Sequence, residues 1–258
     1  MLANVTVLSA AKGGVGKSLI TAGLGCALAL RQQETLLLDL NPLCGDISFF
    51  LAASPLSPYH LGDAAQERCD LSDVIVPSET VEGLFLAQPP SRLDELPKAS
   101  QLTTWLTSLS AEFDQILLDV PAKSPCFLPA VSAASRTLLV STPDKLSITN
   151  CDRLRTSEAG RQMRDPRLVL NRFHRRRFWE MEEFSDLDAV IDESGLQLAA
   201  VIPEDRTLSG SIVSAMERTL SYETLPFQQK AGGGAIALHC LSKRLLGVRV
   251  PLRDLDAL

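Results

Sequence analysis

A chain of 258 residues that is 45% hydrophobic but only 5% aromatic has the length and apolar content for one large α/β domain, residues 1–258, packed mainly with Leu, Ala, Val and Ile. Its formal net charge of −6 argues against a protein built chiefly to bind nucleic acid. Six scattered cysteines (Cys26, Cys44, Cys69, Cys126, Cys151, Cys240) without a C-x-x-C pair read as buried thiols of a reducing compartment, not as a disulfide frame or a metal knuckle.

The first apolar run, Val5 to Leu8, reads as a strand, and Leu19 to Leu30, rich in Ala and Leu, as a buried helix. Between them lies Ala10-Ala11-Lys12-Gly13-Gly14-Val15-Gly16-Lys17-Ser18. A strand, a glycine-rich turn and a helix opening on Gly-Lys-Ser is the layout of a phosphate-binding loop. Glycines there let successive backbone N–H groups point at phosphate oxygens, and the helix N-terminus adds its partial positive charge. Lys17 is placed to reach the β- and γ-phosphates, and the Ser18 hydroxyl to bind the Mg²⁺ that bridges them. The usual pattern asks for glycine five places before Gly16; this chain has Ala11 there, and a second lysine, Lys12, before the glycine pair.

Thr35 to Asp39 is a buried strand delivering an acid at its end, where ligands of such sheets sit. Leu40 to Asp46 is too rich in turn formers to continue it. Short helices are expected at Leu61 to Arg68 and Leu71 to Val76, a strand at Leu84 to Ala87, and an amphipathic helix at Ser100 to Ala111. Gln115 to Ala122 is a strand with Asp119 near its end, the pattern of the second acid of a phosphate-loop site. Further strands are expected at Thr137 to Pro143, Leu168 to Arg172 and Leu198 to Ile202. Helices are expected at Lys145 to Arg164, Ser185 to Ser194, Thr207 to Arg218 and Gln229 to Leu246. This alternation predicts an α/β fold of the P-loop NTPase kind, a mostly parallel central sheet with helices on both faces. The cluster Arg172 to Trp179 interleaves basic and aromatic residues; it reads as a solvated loop and helix start with Phe178 and Trp179 packed inward. His60, His174 and His239 are too dispersed for a metal site.

Lys-Gly-Gly-Val-Gly-Lys-Ser resembles the deviant Walker A motif of the MinD/ParA family of ATPases. Asp-Val-Pro-Ala at 119 to 122, Thr-Pro at 142 to 143, Leu-Asn-Arg at 170 to 172 and Val-Ile-Pro at 201 to 203 fall where that family has matching segments, so the resemblance covers nearly the whole chain. It implies that ATP with Mg²⁺ is the ligand. It also implies that Lys12 reaches across to the nucleotide of a second subunit, so that ATP holds a homodimer together, and that Asn171 with the segment Pro203 to Asp205 holds the adenine ring. Asp39 and Asp119 then serve the Mg²⁺ shell with Ser18. The family's use is to control where a protein partner is recruited, in division, partition or the placement of pili and flagella.

The chain departs from the family at Asp39-Leu40-Asn41, where Asp-x-Asp is usual. An asparagine can orient an attacking water but cannot take its proton, so hydrolysis is expected to be slow. A non-hydrolysing ATP-bound scaffold is the alternative. The last residues, Arg253 to Leu258, do not form a Lys/Arg-rich apolar face. With no apolar run of membrane length and no basic leader, no membrane insertion is expected, and the expected location is cytoplasmic.

Overall fold

A computed structural model describes residues 4–42, 45–53, 56–220 and 233–252. In chain order the elements are β1 (Asn4–Ser9), α1 (Lys17–Ala29), β2 (Thr35–Asp39), α2 (Asp46–Phe50), α3 (Leu61–Ala65), β3 (Ile75–Pro77), β4 (Leu84–Ala87), α4 (Ala99–Leu109), β5 (Gln115–Asp119) and α5 (Phe127–Ala133). There follow β6 (Arg136–Ser141), α6 (Lys145–Thr156), β7 (Pro166–Phe173), α7 (Arg175–Glu180), α8 (Leu187–Ser194), β8 (Gln197–Pro203), α9 (Arg206–Gly210), α10 (Ile212–Leu220) and α11 (Gly233–Leu245).

The strands form one eight-stranded sheet in the order β3-β4-β2-β5-β1-β6-β7-β8. All neighbours are parallel except β3, which runs antiparallel to β4 at the edge. Because parallel strands must be joined by crossovers, helices cover both faces. Alternation along the strands divides the core accordingly. Val5, Val7, Leu36, Leu38, Ile116 and Leu118 face α4, α5, α6 and α8; Leu8, Leu37, Leu117, Leu138 and Val169 face α1, α10 and α11. Each fully buried leucine of this kind contributes roughly 2 kcal/mol. The central helix α1 is buried on nearly every side, and its small residues let neighbours approach closely. A Cβ on Gly23 would lie 2.6 Å from Leu238 Cδ1 of α11 and 2.9 Å from Ile212 Cδ1 of α10.

Several boundaries differ from those expected. The segment Leu71 to Val76 makes one 3₁₀ turn, Leu71–Val74, and then becomes β3, because its β-branched Ile75 and Val76 suit an edge strand that Pro77 ends. The helix from Lys145 stops at Thr156, where Ser157 turns extended, and only a 3₁₀ turn at Gly160–Gln162 follows. Thr207 to Arg218 is two helices broken at Ser211, whose backbone is extended at φ −160 and ψ 98. Two helices were not anticipated, α2 and α5, and the helix start expected within Arg172 to Trp179 is α7. In α7 Phe178 does pack inward, at 2% exposed against Phe173 and Phe184, whereas Trp179 is 42% exposed. The start of the last expected helix, residues 229–232, and the tail 253–258 lie outside the described residues, as does Cys44. Among the described residues no helix is long and apolar enough to cross a membrane.

Candidate functional site

The parallel strands all end on one edge of the sheet, the edge where crossovers leave a crevice for ligands. There the loop after β1 turns through Gly14 (φ 77) and Gly16 (φ 90), both left-handed, before α1 begins. Gly16 stands at the helix N-cap and supplies no side-chain cap, so the first-turn N–H groups remain available to an anion. The loop lines an open cavity of about 700 Å³. Lys12, Gly13, Gly14, Val15, Gly16, Lys17, Ser18 and Asn41 all lie on its wall, so eight of the residues singled out from the chain meet in one place.

Beneath the loop sit the two acids. β5 lies between β1 and β2, and its register sets Asp39 directly beside Asp119. Both are buried, at 2% and 0% exposed. Asp119 is well supplied with partners: Lys17 Nζ lies 2.5 Å from its Oδ1, Ser18 Oγ donates to its Oδ2 at 2.7 Å and Thr21 Oγ1 to its Oδ1 at 3.0 Å. The Lys17 contact is one of charge, without the alignment of a hydrogen bond. Among the described residues Asp39 accepts only the Asn41 N–H, at 2.9 Å. Burial first, and then the neighbouring Asp119 carboxylate, push the Asp39 carboxyl up to about 8. Two adjacent buried carboxylates with one lysine between them are short of positive charge. Among the described residues no three His, Cys, Asp or Glu cluster to hold a metal by themselves. One hydroxyl and two carboxylates are instead the sparse donor set that suits Mg²⁺, which keeps several waters and takes the rest of its ligands from substrate phosphates. The residues fit that ion, with Ser18, Asp39 and Asp119 as its protein side.

Lys12 points outward. Its side chain is 44% exposed, and its Nζ lies 3.6 Å from Oδ1 of Asp144, the residue that caps α6 by accepting from Ser147 N at 3.0 Å. Burial favours the neutral form of Asp144, but hydrogen bonds from Thr142 and Ser147 outweigh it and hold the carboxyl below its usual range.

Asn171, on β7, is 4% exposed and donates its Nδ2 to the Val15 carbonyl at 2.8 Å. Its side chain braces the phosphate loop from below. Pro203 closes β8 opposite Phe173, and neither it nor Asp205 lies on the cavity wall. Asp205 caps α9, accepting from Thr207 N at 2.9 Å, and its other oxygen accepts from Gly234 N of α11 at 3.0 Å. It thus ties two helices together. The wall residues not picked out as site residues include three polar ones of note: Lys123 after β5, Asn150 on α6 and Arg172 near the end of β7. Arg172 has φ 54, and the β7–β8 register is irregular between Leu170 and Phe173, the local kink by which a bulge re-aims a side chain. Its place directly after Asn171 was the available signal; Lys123 and Asn150 carried none.

Known proteins resemble this chain along nearly its whole length. The septum site-determining protein MinD of Bacillus subtilis (strain 168) is 25% identical over 254 residues, covering 97% of this chain and 91% of that one. That of Helicobacter pylori is 28% identical over 265 residues, covering 99% and 95%. Among solved structures, a chain of the MinC:MinD cell division protein complex of Aquifex aeolicus superposes with a TM-score of 0.81 at 23% identity, covering 98% of this chain and 99% of that one. The septum site-determining protein MinD of Pyrococcus horikoshii, complexed with Mg-ADP, gives 0.74 at 21% identity, covering 95% and 96%. The family model for the CobQ/CobB/MinD/ParA nucleotide binding domain matches residues 6–217, and the chain belongs to that family.

Proposed function

We propose that this protein is an ATP-controlled dimerising switch of the MinD type, with slow hydrolysis, that governs where a protein partner is recruited in placing a division or similar cellular apparatus. The observation that carries the reading is the division of labour between two lysines. Lys17 is drawn inward against Asp119 and serves the phosphates of its own site, whereas Lys12 lies on the same wall but faces out. A cation beside bound phosphates and open to solvent can make charge-assisted bonds only when ATP and a second subunit are both present.

Within one subunit the loop N–H groups and Lys17 hold the phosphates, and Ser18 with Asp39 and Asp119 hold the metal. Mg²⁺, when bound, neutralises charge on the phosphate oxygens. Asn41 stands on the wall near the acids and orients water without accepting its proton. General-base help is typically worth about 10²–10⁴ in rate, so its loss makes turnover slow and the ATP-bound state long-lived. The same residue supports the second reading, a scaffold that keeps its ATP, and phosphate release over many hours separates the two. The names of the relatives, septum site-determining proteins and a MinC:MinD complex, support the assignment to division-type placement.

Light scattering with Mg·ATP tests the switch. The wild type should double its mass with ATP and not with ADP, and Lys12→Ala should stay monomeric while still binding nucleotide. A wild type that remains a monomer at saturating Mg·ATP would overturn the proposal.

A further inference from the structure

Four cations stand on the wall of the nucleotide cavity; Lys17 is paired with Asp119 and Lys12 with Asp144, which leaves Lys123 and Arg172. Both are exposed, and neither makes an ion pair or hydrogen bond with a described residue. The sheet order puts them at opposite ends. Lys123 lies four residues beyond Asp119 at the end of β5, and β5 sits between β1 and β2. Asn41 and Asp46 follow β2, and Pro121, Ala122 and Lys123 follow β5, adjacent strands that set Asp39 beside Asp119, and all five residues line the cavity. Arg172 is the last residue but one of β7, which lies on the other side of β1, beyond β6. The phosphate loop runs between them.

This arrangement orients a nucleotide, given the reading proposed above on which the inference rests. The metal donors Ser18, Asp39 and Asp119 are on the β2–β5 side, and a metal that bridges the last two phosphates draws the end of the chain to that side. The α-phosphate and nucleoside then extend toward β7. Charge favours a cation at the first end. Three carboxylates gather there, Asp39, Asp119 and Asp46, the last close enough to disfavour ionisation of Asp39. Lys17 and a divalent metal together balance those three, and a terminal phosphate brings further negative charge. With Lys12 drawn to Asp144, Lys123 is the cation beside these acids that no described residue pairs. We infer that Lys123 contacts the terminal phosphate and makes the site select a nucleoside triphosphate over the diphosphate.

Binding isotherms for Mg·ATP and Mg·ADP on the wild type, Lys123→Ala, Lys123→Arg and Arg172→Ala test this. Loss of a charge-assisted contact with a phosphate should weaken ATP binding by about ten-fold in Lys123→Ala. ADP affinity should be unchanged, which also shows that the site is still folded. Lys123→Arg should keep most of the preference because the charge is retained, and Arg172→Ala should weaken both nucleotides alike. An ATP-to-ADP preference equal in Lys123→Ala and the wild type overturns the inference while leaving the switch intact. Failure of the wild type to bind either nucleotide overturns the underlying reading and the inference with it.

Discussion

Replacing Gly16 by Ala should damage this protein through one side chain that sits 155 positions away. Gly16 has φ 90, and a Cβ there would collide with Nδ2 of Asn171. The left-handed backbone alone costs an alanine about 1–2 kcal/mol. Displacing Asn171 breaks its 2.8 Å bond to the Val15 carbonyl inside the protein, and a buried amide left unpaired costs about 1–3 kcal/mol. Restricting the unfolded chain returns about 0.4–1 kcal/mol. The net expectation is a loss of about 2–4 kcal/mol in the ligand-free protein, measured by urea unfolding. Gly14→Ala, at φ 77 with nothing within 4 Å, should cost about 1 kcal/mol. Gly13→Ala, with open space and no positive φ, should cost nothing. The decisive variant is the double one. With Asn171→Ala already in place the obstacle is gone, and Gly16→Ala should then cost only its backbone share. Strict additivity of Gly16→Ala and Asn171→Ala, within about 0.5 kcal/mol, would refute the brace between β7 and the phosphate loop.

Two further outcomes follow from the acids and their neighbour. Asn41→Asp should raise ATP hydrolysis by roughly ten-fold or more at saturating ATP while leaving nucleotide affinity nearly unchanged, because it acts on the water and not on the phosphates; a brisk wild type unaffected by the change would show that another group handles the water. The carboxyl of Asp39, raised to about 8 in the folded protein by burial and by Asp119, binds a proton more tightly folded than unfolded. Its stabilising contribution is therefore complete below about pH 4 and is lost as pH rises through about 8. In metal-free buffer Asp39→Asn should flatten that decline across pH 4 to 8, and unfolding curves that fall equally steeply for variant and wild type would contradict it.

The parts of this fold that could be read from the chain are those whose signal is local. β2 and β5 are runs of buried apolar residues that end in Asp, with the proline that stops β5 only two positions further on, and the loop between β1 and α1 announces itself through three glycines and two lysines. α5 was hidden because its seven residues carry Pro129 in the first turn and follow Pro125, the residue type that normally marks a break; in a first turn it costs no hydrogen bond. β3 has only three residues, and its pairing with β4 through Val76 and Leu86 is a tertiary contact that short apolar runs do not reveal.

The site divides along the same line. The loop, Asp39 and Asp119 were each legible, but their meeting depends on β5 inserting between β1 and β2, which no spacing in the chain encodes. Asn171 shows the limit most clearly. Its likeness to a base-binding asparagine identified it as a site residue, but not that its side chain donates to Val15 of the phosphate loop. A polar residue at the end of a parallel strand faces both the ligand crevice and the loops that shape it, and only the position of the neighbouring loop decides which it touches. Lys123 lies on the cavity wall for the converse reason. It has no motif of its own, and it is brought there because the loop after β5 must pass the acids that β5 delivers. Residues placed by topology in this way escape motif reading.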